Sequence, residues 1–106
     1  MDDTLRQQIQ RTVSSSHVVL FMKGSKVFPQ CGFSARVVGI LKEHGVEFKD
    51  VNILSDPVLR DGMKEFSNWP TFPQLYVEGK LVGGCDIVAD LHESGELEQI
   101  LKAKAG

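Results

Sequence analysis

The amino-acid sequence predicts an α/β protein built on a small mixed four-stranded sheet with helices on both faces. Three observations predict it. Residues 18–22, VVLFM, form a continuous apolar run rich in β-branched and aromatic side chains, the pattern of a buried strand. Apolar residues recur at helical spacing on either side of that run. Farther on, QLYV-EG-KLVGG reads as two short strands joined by a tight turn. A β-helix-β unit supplies a parallel pair and the hairpin an antiparallel pair, which makes the sheet mixed.

The first element is an amphipathic helix over residues 3–14: Leu5, Ile9 and Val13 lie four apart, Asp2 and Asp3 stand at its start, and the serine run 14–16 ends it. The strand 18–22 follows. From Gly32 to His44, Phe33, Val37, Val38, Ile40 and Leu41 give a second helix its apolar face, and Lys42 and His44 precede Gly45 as a stop. EFKDVNI, residues 47–53, reads as a second strand in which Phe48, Val51 and Ile53 alternate imperfectly. Ser55-Asp56-Pro57 then opens a third helix, a capping acid ahead of proline at the first helical position, with Leu59, Met63 and Phe66 inward. Pro70 and Pro73 bracket an extended turn before the hairpin, which turns at Glu78-Gly79 and ends at Gly83-Gly84. From Asp86 to Ala105, the residues Ile87, Leu91, Leu97, Ile100 and Leu101 predict one or two helices packing back on the sheet, with a break at Ser94-Gly95.

A chain of 106 residues suits one domain with one core, spanning residues 1–106. Its 42% hydrophobic and 25% charged residues are the balance of an ordinary folded domain rather than a disordered one. No stretch approaches the ~20 apolar residues of a membrane-spanning helix, so no membrane is expected. A net charge of -2 gives polyanions no general attraction, so no nucleic acid is expected either. The two cysteines lie far apart, without a second Cys or His at metal-ligand spacing, which argues against a disulfide framework or a zinc site and for a reducing compartment. The polar N-terminus MDDTLRQQIQ carries no targeting pattern. The expected location is the bacterial cytoplasm, or an organelle matrix if a transit peptide has been removed.

Cys31 stands at the start of the second helix, where unpaired backbone N–H groups favour thiolate over thiol. A thiolate is both a nucleophile and a metal ligand. The alternative is a small buried hydrophobe, but Pro29, Gly32 and the strand-to-helix junction argue for an exposed loop tip. Ser34 stands three residues on, where a second cysteine would make a redox pair. His17, His44 and His92 show no base-orienting partner and read as surface or cap residues, which makes a cysteine protease a poor fit.

Besides Cys31-Gly32-Phe33-Ser34, three further segments carry a resemblance: FMKG at 21–24, SNWPTFPQ at 67–74 and GGCD at 83–86. With them the sequence resembles the monothiol glutaredoxins of the Cys-Gly-Phe-Ser class over essentially its whole length. The resemblance implies a thioredoxin-like fold, glutathione as the bound thiol, and a [2Fe-2S] cluster shared between two subunits. Glutathione has two carboxylates, one ammonium and one thiol, so its site needs cations, a counter-anion and backbone donors around a reactive sulfur. Lys23 ends the first strand, and Arg60 and Lys64 share a helix face at i, i+4. These are either carboxylate-binding cations or solvated surface charges, and the resemblance favours Lys23 and Arg60.

Pro73 resembles the cis-proline that faces the active cysteine in thioredoxin-like folds, which would turn the Phe72 backbone outward to pair with an extended peptide; an ordinary trans proline is the alternative. Trp69 and Phe72 also suit plain core aromatics. Gly83-Gly84 allows close backbone approach, and Cys85-Asp86 opens a helix whose N–H groups can receive the γ-glutamyl carboxylate while Asp86 meets its ammonium or serves as an N-cap. Cys85 has three readings: a buried small residue, a thiol able to pair with Cys31, or a backbone contact to glutathione, which is favoured.

A serine hydroxyl cannot resolve a mixed disulfide as a second thiolate does. A [2Fe-2S] cluster commonly needs four thiolates, and one chain offers one well-placed candidate. Two Cys31 sulfurs and two glutathiones complete the set in a symmetric dimer. The expected function is therefore a glutathione-dependent [2Fe-2S] carrier, monomeric when apo and homodimeric when loaded, that passes its cluster to recipient iron-sulfur proteins. The alternative is a glutathione-dependent thiol-disulfide oxidoreductase that deglutathionylates proteins with Cys31 as nucleophile. The long stretch GSKVFPQ before Cys31, linked in this family with poor reductase activity, leaves that activity weak at most. A third reading is an iron-sensing adaptor paired with BolA-like proteins.

Overall fold

Val18–Met22 forms β1, buried along its whole length, and successive side chains serve two different cores. The structure is a computed structural model that describes residues 1–102. Val18, Leu20 and Met22 face one side of the sheet; Val19 and Phe21 face the other. That two-sided burial explains why the run is continuous rather than alternating.

The elements run α1 (Asp3–Val13), β1, α2 (Gly32–Glu43), β2 (Lys49–Asn52), a 3₁₀ turn (Ile53–Ser55), α3 (Pro57–Ser67), β3 (Gln74–Val77), β4 (Lys80–Gly83), α4 (Cys85–Ser94) and α5 (Glu96–Lys102). The sheet order is β2-β1-β3-β4. β1 pairs in parallel with β2 and antiparallel with β3, which pairs antiparallel with β4, so the expected mixed sheet forms. Ile9 and Val13 of α1 and Met63 of α3 pack on Val19, Phe21 and Tyr76. Phe21 meets Tyr76 edge-on, ring centroids 5.4 Å apart at 74°, a geometry that adds about 1 kcal/mol to burial alone. Val37, Val38 and Leu41 of α2, Val88 of α4, and Leu97 and Leu101 of α5 cover the opposite face.

Local chemistry sets most boundaries. Asp2 accepts from Thr4 N–H and caps α1; Asp56 accepts from Leu59 N–H and caps α3 ahead of Pro57. The hairpin turns through Glu78 at φ 51° and Gly79 at φ 76°, the positive pair of a tight two-residue turn. Gly95, at φ 84°, separates α4 from α5 where the sequence predicts a break.

Three expectations need correction. The second strand is shorter than 47–53: Asn52 Oδ1 accepts from Leu54 N–H and turns Ile53 into the 3₁₀ segment. Phe33 and Ile87 do not join the core, being 64% and 37% exposed, because the first turns of α2 and α4 stand at the rim of the thiol site. Val88 and Ala89 take the buried positions of α4 instead. The part of the predicted C-terminal helix beyond residue 102 lies outside the described residues. No helix among the described residues is long and apolar enough to cross a membrane.

Candidate functional site

Three chain segments converge beside one sulfur. The loop after β1 ends at Cys31, the N-cap of α2; the turn before β3 carries Thr71, Phe72 and Pro73; β4 leads through Gly84 into α4. Together they enclose a cavity of about 330 Å³ lined by Lys23, Cys31, Phe33, Thr71, Phe72, Pro73, Cys85 and Asp86, which lies within the ~300–1,000 Å³ of ligand pockets. A wider groove of about 800 Å³ runs past His17, Lys26, Phe48 and Lys49 but holds no thiol. Chemistry, not size, singles out the smaller one.

Cys31 is half-exposed and its thiol ionises below the ordinary value. The main cause is the Ser34 backbone N–H facing the sulfur from the first turn of α2, joined by the Phe33 N–H, the Ser34 hydroxyl and the Lys23 charge, and opposed by partial desolvation. As a neutral thiol it closes no cap hydrogen bond, so these donors act chiefly on the ionised form. Ser34 is more than a missing cysteine. It is fully buried, and its Oγ accepts the Lys23 N–H at 3.1 Å, which ties the end of β1 to the start of α2 and leaves the hydroxyl proton for the thiolate.

Ser34→Ala is accordingly expected to move the Cys31 ionisation midpoint up. The folded thiol ionises below the unfolded one, so thiolate stabilisation is complete above the ordinary thiol range and is lost as pH falls through the folded midpoint. Removing the hydroxyl shrinks that window from its acid side. A pH profile of iodoacetamide alkylation measures it, and an unmoved midpoint rules the hydroxyl out as a contributor.

Cys85 differs from Cys31 in burial and in the direction its ionisation is shifted. It is 9% exposed, and burial pushes its thiol up, helped by the charges of Asp86 and Cys31 and opposed by Arg36. Both cysteines are free. Gly84, not Asp86, is the N-cap of α4; Asp86 sits in its first turn, facing the cavity. Among the described residues no three His, Cys, Asp or Glu side chains gather as a metal site.

The Phe72-Pro73 bond is cis. Phe72 is buried at the cavity wall, and its backbone forms no hydrogen bond among the described residues. Gln74, which sequence reasoning passed over, holds this turn: fully buried, it donates from Nε2 to the Trp69 and Thr71 carbonyls, both at 3.2 Å, and accepts from Tyr76 Oη at 3.2 Å. Trp69 packs against Gly84, where an added Cβ would come 3.1 Å from Nε1, and that buried N–H has no partner among the described residues.

Lys23 therefore lines the cavity as the sequence suggests, whereas Arg60 does not: its Nε donates to Asp61 at 3.4 Å on the exposed side of α3. The histidines do have partners, contrary to expectation. His17 Nδ1 lies 3.0 Å from Glu78 Oε1, His44 Nε2 lies 3.0 Å from His92 Nδ1, and His92 Nε2 lies 3.0 Å from Glu43 Oε2. None of the three lines the Cys31 cavity.

Comparison with known proteins adds an independent line. The glutaredoxin family model matches residues 18–82. "Probable monothiol glutaredoxin 2" of Rickettsia typhi is 60% identical over 94 residues, covering 89% of this chain and 85% of that protein. Among solved structures, the solution structure of reduced poplar apo GrxS14 superimposes with a TM-score of 0.79 at 55% identity, covering 90% of this chain and 87% of that one. A buckwheat glutaredoxin-glutathione complex superimposes with a TM-score of 0.82 at 25% identity, covering 92% and 87%.

Proposed function

Since the chain belongs to the glutaredoxin family as a monothiol member, we propose that it is a glutathione-dependent carrier of [2Fe-2S] clusters. One observation carries this reading: the site offers a single half-exposed, readily ionised thiol, with a buried serine where a resolving cysteine would stand. One thiolate cannot fill a site of four. Two copies supply two Cys31 sulfurs and two bound glutathiones the rest, so the loaded carrier is a homodimer and the empty one a monomer. Half of the ligands are then exchangeable small molecules, which suits release of the cargo to recipient iron-sulfur proteins. BolA-like proteins are proposed as alternative partners in place of the second copy.

In this reading glutathione lies across the 330 Å³ cavity. Lys23 pairs with its glycine carboxylate, the free backbone groups of Phe72 pair with its cysteinyl residue, and the first turn of α4 receives the γ-glutamyl end. Cys85 contributes its backbone N–H there, and Asp86 meets the ammonium. The buckwheat glutaredoxin-glutathione complex supports the ligand class. Arg60 contributes to carboxylate binding only if it leaves Asp61.

Anaerobic reconstitution with iron, sulfide and glutathione tests the proposal. The expected product is coloured and elutes at twice the apo mass on size exclusion; a colourless monomer sinks it.

The ready ionisation of Cys31 favours a second reading, glutathione-dependent deglutathionylation. The Cys31 thiolate attacks the glutathione sulfur of a protein mixed disulfide and expels the protein thiolate, and the thiolate of a second glutathione then attacks the glutathione sulfur held on Cys31, releasing glutathione disulfide and returning the Cys31 thiolate. Turnover of a glutathionylated peptide in millimolar glutathione separates the two: rapid turnover promotes this second reading.

A further inference from the structure

The imperfect alternation of β2 has a structural reason. Asp50 and Asn52 stand in register with Leu20 and Met22 of β1, whose side chains enter the core beneath α2 and α4. Polar side chains at that edge need partners, and theirs lie in the 24–30 loop that leads to Cys31. Asp50 Oδ2 accepts the Lys26 N–H at 2.8 Å, and Asn52 Oδ1 accepts the Gly24 N–H at 3.0 Å. Lys26 returns the grip: its Nζ donates to the Phe48 carbonyl at 2.8 Å and lies 5.0 Å from the Phe48 ring centroid. The loop also closes on itself. Gly24 bridges Pro29, Ser25 N–H donates to the Phe28 carbonyl at 3.2 Å, and Gln30 N–H donates to the Lys23 carbonyl at 2.9 Å.

We propose that Asp50 and Asn52 are positioning residues for the thiol site. Neither lines the cavity that holds Cys31, yet between them they fix the loop joining two of its walls, Lys23 and Cys31. A loop already ordered before glutathione arrives spares binding the entropy of ordering it. The pattern break in β2 is thus the sequence mark of the site's support, since local rules are broken where function requires it. The inference rests on the glutathione site proposed above.

The test uses the full-length apo protein and the double variant Asp50→Ala/Asn52→Ala, with Asp50→Asn and Asn52→Asp, which each keep an acceptor oxygen. Glutathione affinity is read by calorimetry and Cys31 alkylation by mass spectrometry at pH 7. The double variant is expected to bind glutathione roughly fivefold to tenfold more weakly, the order of a lost hydrogen bond or two, and to alkylate several-fold more slowly as Cys31 leaves the helix N-terminus. The conservative variants should stay within about twofold of the parent, as expected if the acceptor oxygen alone matters. Val13→Ala, a core change in α1 remote from the loop, should lower the melting temperature and leave both readings alone. Parent-like affinity and alkylation in the double variant overturn the proposal, as do conservative variants as impaired as the alanines. If the parent protein itself fails to bind glutathione, the function proposed above falls, and alkylation alone then decides the role of Asp50 and Asn52. Should the double variant fail to fold, Asn52→Ala is read in the same way.

Discussion

Replacing Cys31 with serine is expected to abolish both cluster loading and dimerisation while leaving a normally folded monomer. A serine hydroxyl stays protonated where the cysteine ionises, so it supplies neither an iron ligand nor a sulfur nucleophile. The fold should not notice. Cys31 is half-exposed, belongs to neither core cluster, and forms no side-chain cap hydrogen bond, so the stability change should stay within about 0.5 kcal/mol. Cys85→Ala provides the contrast. If Cys85 serves through its backbone, the alanine variant still loads iron and still dimerises, at a modest stability loss for a small buried side chain. Absorption spectra and size exclusion after anaerobic reconstitution distinguish the two variants. Iron loading that survives Cys31→Ser, or disappears only with Cys85→Ala, assigns the ligand to the wrong cysteine.

Much of this molecule was readable from local chemistry. The Asp56-Pro57 helix start, the buried run of β1 and the turn at Glu78-Gly79 follow from interactions within a few residues, which sequence patterns capture directly. What stayed hidden depends on partners far along the chain. Phe33 shares the apolar spacing of α2, but periodicity does not say that the first turn overhangs the cavity rather than the sheet. Ser34 looks like an absence until Lys23 N–H is found on its hydroxyl, and Gln74 looks like a stray polar residue in a strand until its two bonds across the cis-proline turn, and a third to Tyr76, are seen. Arg60 illustrates the reverse. Charge and spacing nominate it, and only the placement of α3 turns it toward Asp61 instead of the cavity. The resemblance carried by the four motifs located the thiol and its neighbours; it carried no information about what holds them in place.

Gly24 makes that difference measurable, because its requirement is purely geometric. It adopts φ +91°, and a Cβ there would fall 2.5 Å from the Phe28 carbonyl oxygen and 2.6 Å from the Gln30 nitrogen. Both obstacles are backbone, so no side-chain rotation relieves them; the 24–30 loop must open. Gly24→Ala is expected to lose roughly 3 kcal/mol, about 1–2 from the left-handed conformation and the rest from the clash. That is a large share of the ~5–15 kcal/mol typical of a domain, and in a chain of 106 residues it corresponds to a melting point lower by roughly 10–20 °C. Opening the loop also separates Lys23 from Gln30 and displaces Cys31, so glutathione affinity should fall with stability. Gly39→Ala is the control: on the exposed face of α2, where an added Cβ meets nothing within 4 Å, it should stabilise by about 0.5–1 kcal/mol and leave glutathione binding untouched. A Gly24→Ala protein that melts with the parent and binds glutathione as tightly would mean that the loop yields easily, and that Cys31 is held by α2 alone.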